Sequence, residues 1–209
     1  VTAALTSGDV YATNAAFTGS VVDTGLTPAA GGGVITSMLP FPAADVANQV
    51  LFTGIGGNGA GFNGLYVRSR NAAGGAWAGT LTGSGGAATA GNFFPSMAEF
   101  DGKLYASYHN PGQSAKIYQF TPNYASLATD GYWDGTGTWA TVYTNVSTIR
   151  PYSLFVDDGV IYGIGQIGFG STCSAVVSTD GTTWTDKSAS LPAGANQSFP
   201  LPILAGFNQ

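Results

Sequence analysis

The chain has 209 residues, a net charge of −5 and a mean hydropathy of +0.15, and only 8% of its residues are charged, against about 25% in soluble proteins. Six Lys and Arg residues leave no basic track to replace the counterions of a phosphate backbone or to meet an anionic lipid surface, which excludes nucleic acid and membrane surfaces as partners. No apolar run approaches the roughly 18 residues of a membrane span, so no insertion is expected, and the single cysteine, Cys173, excludes an intrachain disulfide.

From the N-terminus onward, short runs rich in Val, Ile, Tyr, Phe, Trp and Thr are bounded by Gly, Asn, Asp or Pro, which predicts antiparallel strands. Residues 1–25 supply three, VTAALTSG, DVYATN and AAFTGSVV. Residues 34–83 supply four, VITSMLPFP, NQVLFTGIG, GLYVRSR and GAWAGTL. Residues 93–145 repeat the pattern as FFPSMAEFDG, KLYASYH, AKIYQFTP and GTWATVYT, and residues 149–190 as IRPYSLFVDDG, VIYGIGQ, CSAVVSTDG and TTWTDKS. Residues 198–209, SFPLPILAGFNQ, read as a lone first strand. No helix is expected.

A four-strand unit recurring at about fifty residues points to the blades of a β-propeller. The expected fold is all-β: a single-domain, four-bladed propeller with four antiparallel strands per blade. Blade 1 is shared by residues 198–209 and 1–25, and blades 2, 3 and 4 occupy 34–83, 93–145 and 149–190. Joining the ends places Phe207, Asn208 and Gln209 before Val1, a match to Asn48, Gln49 and Val50 in blade 2. An aromatic residue opens each fourth strand, at Phe17, Trp77, Trp139 and Trp184. A chain that starts at Val is expected to be processed or excised from a precursor.

The four first strands align with Ser37, Ser96, Tyr152 and Leu201 in one central column and Met38, Met97, Ser153 and Pro202 in the next. Such a column would nearly fill a four-bladed channel. No cofactor or metal is expected, with room only for a water or an ion on backbone carbonyls. Asp101-Gly102 and Asp158-Gly159 suit tight hairpins whose central residues need positive φ. Blade 3 departs from the repeat by an insertion at 122–137 that adds Tyr124, Tyr132 and Trp133. Aromatics on a loop serve a sugar-stacking site or a subunit contact, or pack the loop on its own blade.

Between the third and fourth strands of blade 4 runs STDGTTW, with Ser178, Asp180, Gly181 and Trp184. This hairpin resembles the Asp-box of sialidases and related propellers. The resemblance implies a structural turn, with Asp180 accepting backbone N–H groups, Gly181 in a conformation other residues avoid, and Trp184 tucked beneath. DGTGTW in blade 3 and NAAGGAW in blade 2 are relaxed versions. Sialidase chemistry itself needs an arginine cluster with a tyrosine nucleophile and carboxylates. Arg68 and Arg70 lie on a third strand away from the axis, and only Arg150, beside Tyr152, is near it, so that activity is not expected. Glu99 is the sole Glu and the sole carboxylate on the body of an inner strand, facing the axis or Lys103, while His109 ends a second strand without metal-ligand spacing.

The expected function is therefore non-catalytic contact: an extracellular or cell-surface subunit of a fibre or layer, or an adhesion module, partnered by copies of itself. The alternative is a glycan-binding propeller using Tyr124, Tyr132, Trp133, Arg150 and Tyr152. A glycosidase-like enzyme is third, around Arg150, Tyr152 and Glu99. Asn145 and Asn196 fit the glycosylation triplet, which matters only in a glycosylating host.

Overall fold

The computed structural model describes residues 11–12, 22–23, 34–45, 48–56, 64–68, 78–82, 94–108, 114–131, 133–145, 153–166 and 173–190. They form an all-β architecture of three four-stranded antiparallel sheets and one two-stranded pair, β1 (Tyr11–Ala12) with β2 (Val22–Asp23). Sheet 1 runs β3 (Val34–Phe41), β4 (Val50–Gly56), β5 (Gly64–Arg68) and β6 (Ala78–Thr82) in order. Sheet 2 runs β7 (Met97–Phe100), β8 (Lys103–Tyr108), β9 (Lys116–Pro122) and β10 (Gly137–Thr144). Sheet 3 runs β11 (Ser153–Asp157), β12 (Val160–Gln166), β13 (Cys173–Ser178) and β14 (Thr185–Asp186). Each sheet is a simple meander, so each strand pairs with its chain neighbour. The split blade expected from 198–209 and 1–25 lies, apart from the β1–β2 pair, outside the described residues.

The tight hairpins follow from their sequence. Asp101 and Gly102 have φ of 49° and 66°, and Asp158 and Gly159 have 45° and 71°. Positive φ at both central residues is the twist that matches the flanking strands. These two-residue turns fix the register, pairing Phe100 with Lys103 and Asp157 with Val160.

Counting back from the turns corrects the alignment of the inner strands. Ser96 stands four residues before Phe100, and Ser153 four before Asp157, so Ser96 corresponds to Ser153 and not to Tyr152. The doublet Asp157-Asp158 contributes one more residue before Gly159 than the single Asp101 does before Gly102.

Sheet 2 is buried on both faces because its side chains alternate between two neighbours. Leu104, Ala106, Tyr108, Tyr118 and Phe120 face sheet 1, where they join Phe41, Val50 and Phe52 in one core. Tyr105, Ile117 and Phe100 turn the other way and pack with Leu154, Ile161 and Val176 of sheet 3. The first core is aromatic: Phe52 meets Phe120 at 5.2 Å and Phe41 at 6.0 Å, both edge to face. Such pairs add about 0.5–1.5 kcal/mol each beyond area burial. The first strands also touch in series, β3 against β7 and β7 against β11.

Two short helices depart from the all-strand expectation, α1 (Ser126–Asp130) within the 122–137 insertion and a 3-10 turn at Ser188–Ser190. Alanine and leucine favour the first, and Gly131 ends it in the left-handed conformation at φ 74°.

Candidate functional site

The 122–137 insertion is a built element. Its base closes where Pro122 pairs with Gly137, and the Asn123 N–H donates to the Thr136 carbonyl at 2.9 Å. Asp134 accepts the Thr136 N–H at 3.0 Å. Trp133, for which the sequence left both ligand stacking and packing of its own loop open, is 1% exposed. Its indole N–H donates to the Thr136 carbonyl at 3.1 Å, and its ring lies 5.8 Å from Phe41 and 6.2 Å from Phe120. The loop thus sends its largest aromatic into the core between sheets 1 and 2.

Tyr124 is left at the surface, 39% exposed, with its ring backed by Trp133 at 5.0 Å. Partial burial, and then the negative charges of Glu99 and Asp45, push its hydroxyl pKa up, so it stays a protonated donor. Asp45 accepts both the backbone N–H and the side-chain amide of Asn48, the latter at 2.8 Å. Chemically this is one supported aromatic face with acceptors beside it. Tyr132, Arg150 and Tyr152, the remaining residues expected to bind ligand, lie outside the described residues, as do Arg70 and His109; Arg68 is on β5.

The Ser178–Trp184 hairpin is held by one carboxylate. Asp180 accepts the N–H groups of Thr182 at 2.8 Å and Thr183 at 2.6 Å, while the Ser178 hydroxyl donates to Asp180 at 3.0 Å and accepts the Gly181 N–H at 2.8 Å. The Thr183 and Thr182 N–H groups hold the Asp180 carboxyl far below the usual carboxylate range. Gly181 has φ 71°, and a Cβ there would overlap the Tyr105 hydroxyl. Gln119 donates to that hydroxyl at 2.6 Å and to the Gly181 carbonyl at 3.2 Å. The turn is thereby docked onto the buried face of sheet 2, and Trp184 packs 6.4 Å from Tyr105. Burial leads in raising the Tyr105 pKa. Sequence reading missed the Tyr105–Gln119 pair, whose signal was a lone amide in the apolar run Ile117–Phe120.

On the inner strands, serines bridge neighbouring sheets. Ser37 and Thr36 donate to the Phe94 carbonyl at 2.6 and 2.8 Å, and Ser96 accepts the Leu154 N–H at 2.9 Å. Glu99 faces sheet 1 and accepts the Ala43 N–H at 2.6 Å, so its carboxylate ties two sheets together. Among the described residues no group of three or more His, Cys, Asp or Glu is placed to hold a metal ion, and no helix is long and apolar enough to cross a membrane. Asn145 is 5% exposed and its amide donates to the Tyr143 hydroxyl, a poor position for a glycan acceptor.

The outer strands differ. β14 has two residues and is followed by Lys187 and a 3-10 turn, with Asp186 accepting the Ser188 N–H at 2.7 Å. β10 has eight residues, GTWATVYT, with no charge and no proline, and five of them are exposed. Only a bulge between Thr141 and Tyr143 interrupts its pairing with β9. No family model, curated protein or solved structure matches the chain.

Proposed function

We propose that this chain is a non-catalytic contact protein, a subunit of an extracellular fibre or layer or an adhesion module, built on a four-bladed β-propeller. The observation that carries the reading is β10, a long, uncharged and exposed outer strand. Sheets that remain solitary guard such edges with Lys, Pro or brevity. The propeller is supported by the serial contact of β3, β7 and β11. It is supported also by a groove of about 570 Å³ on the face of sheet 3 turned away from sheet 2, lined by Phe155, Val160, Tyr162, Ile164 and Val177. In this reading residues 198–209 and 1–25 form the fourth sheet, which covers that groove. The Ser178–Trp184 turn then serves the scaffold, as the Asp-box does in the proteins it resembles.

Size-exclusion chromatography with negative-stain imaging tests the proposal. Association that increases with concentration, to a dimer at the least, is expected, and a monomer persisting at high concentration contradicts it. A second reading, glycan binding, is favoured by the exposed Tyr124 on its Trp133 backing. A glycan array on the native chain and on Tyr124→Ala tests it, with a signal lost in the variant expected and no signal from either chain contradicting it.

A further inference from the structure

We infer that β10 is the self-association surface of this protein, and that its partner is β10 of a second copy, joined antiparallel across a twofold axis into a continuous sheet. The inference rests on the contact reading above and names the surface it uses. Every second residue of an edge strand turns its N–H and C=O away from its one neighbour, and those groups form a template for another strand. The residues of β10 suit that pairing: Thr, Trp, Val and Tyr favour strands, and nothing in the run removes a donor.

The choice of a second copy follows from charge. A twofold antiparallel pairing sets residue i of one strand opposite residue j of the other and j opposite i, so any charge on the strand would occur twice within one short paired stretch. β10 has none. Its flanks carry charge of opposite sign at opposite ends. Asp130 and the exposed Asp134 precede its start, while Lys116 pairs with Thr144 at its finish. An antiparallel approach brings the acidic end of each copy toward the lysine end of the other; a parallel approach sets like beside like. The straight portion, Gly137–Thr141, precedes the bulge and provides the pairing length. Thr138, Ala140 and Thr141 are exposed there, so pairing needs no rearrangement.

The test compares the full chain, a Thr138→Lys/Thr141→Lys variant and an Ala128→Lys control on exposed α1, by sedimentation velocity over a dilution series. Far-UV circular dichroism and melting temperature verify folding. The native chain and the control dimerise alike. The double variant keeps its fold and dissociates at a concentration at least about tenfold higher, because pairing would bring four lysines, two from each copy, into one short stretch. Hydrogen exchange of the native chain shows the amides of 138–141 more protected at high than at low concentration. If the double variant associates as tightly as the native chain, the surface is elsewhere and only this inference falls. If the native chain never associates, the contact reading falls with it. If the protection at 138–141 is the same at all concentrations, the strand is not pairing with a copy.

Discussion

Replacing Gly181 by alanine tests how the Ser178–Trp184 turn is seated on sheet 2. Two costs add. At φ 71° any L residue with a Cβ is strained by about 1–2 kcal/mol. The new methyl also overlaps the Tyr105 hydroxyl, which must move away from the Gln119 amide, 2.6 Å distant. Losing that bond and leaving a buried hydroxyl unpaired costs about another 1–3 kcal/mol. The sum, about 3 kcal/mol, lowers the melting temperature by about 6–12 °C in a domain of this size. Gly102 and Gly159 provide the comparison: both have positive φ but nothing within 4 Å of an added Cβ, so alanine there costs the backbone term alone. The decisive assay is a double-mutant cycle by urea denaturation. In a Tyr105→Phe background the hydroxyl and its bond to Gln119 are gone while the ring carbon Cζ still stands 2.7 Å from the added Cβ, so Gly181→Ala costs less than in the native chain but more than the backbone term of about 1–2 kcal/mol. If the two substitutions prove additive within about 0.5 kcal/mol, the methyl does not meet Tyr105 and the reasoning fails.

Three other outcomes are expected. Thr53 is fully buried and its hydroxyl has no hydrogen-bond partner among the described residues; Thr53→Val keeps the shape, removes an uncompensated desolvation and raises stability by about 1 kcal/mol, whereas a loss in thermal unfolding contradicts this. Asp180 has a depressed folded pKa, so its stabilisation is present above the unfolded value near 3.9 and is lost as pH falls toward the folded one. The gap in melting temperature between the native chain and Asp180→Asn is therefore constant from neutral pH to about 5 and closes below about 4; a gap unchanged in strong acid refutes the assignment. Trp133→Ala destabilises by about 3–5 kcal/mol as a core truncation, while Tyr124→Ala stays within about 1 kcal/mol; equal losses in chemical denaturation contradict the inward placement of Trp133.

The strands of sheets 1, 2 and 3 were legible because their information is local. Asp-Gly turns, the short apolar and aromatic run Leu104–Tyr108 and the aromatic residue near the start of β10 are each read from a few adjacent residues. What failed to show depends on distant partners. The helix α1 has five residues, below the length at which a helix stands alone, and it forms because Ser126 and Asp134 close the loop around it. That Trp133 could pack inward was legible, but not its partners: Phe41, Phe52 and Phe120, far apart in sequence, join it in one core. The shift from Tyr152 to Ser153 was hidden by the two prolines, Pro95 and Pro151, which align well but do not set register; the hairpins do.

A circular permutant tests the ring most directly, with Gln209 joined to Val1 and the chain opened within 83–92. In sheet 1 the corresponding residues make the connection between first and second strands, where Asn48 caps on Asp45, the Gln49 amide reaches the Pro42 carbonyl, and Val50 begins β4 opposite Phe41. If the terminal segments are neighbours in one sheet, the permutant folds with the native circular dichroism spectrum and melts no lower than the parent chain. A permutant that is unfolded or aggregated, beside a parent opened by proteolysis in 83–92 that stays folded, contradicts the closed ring.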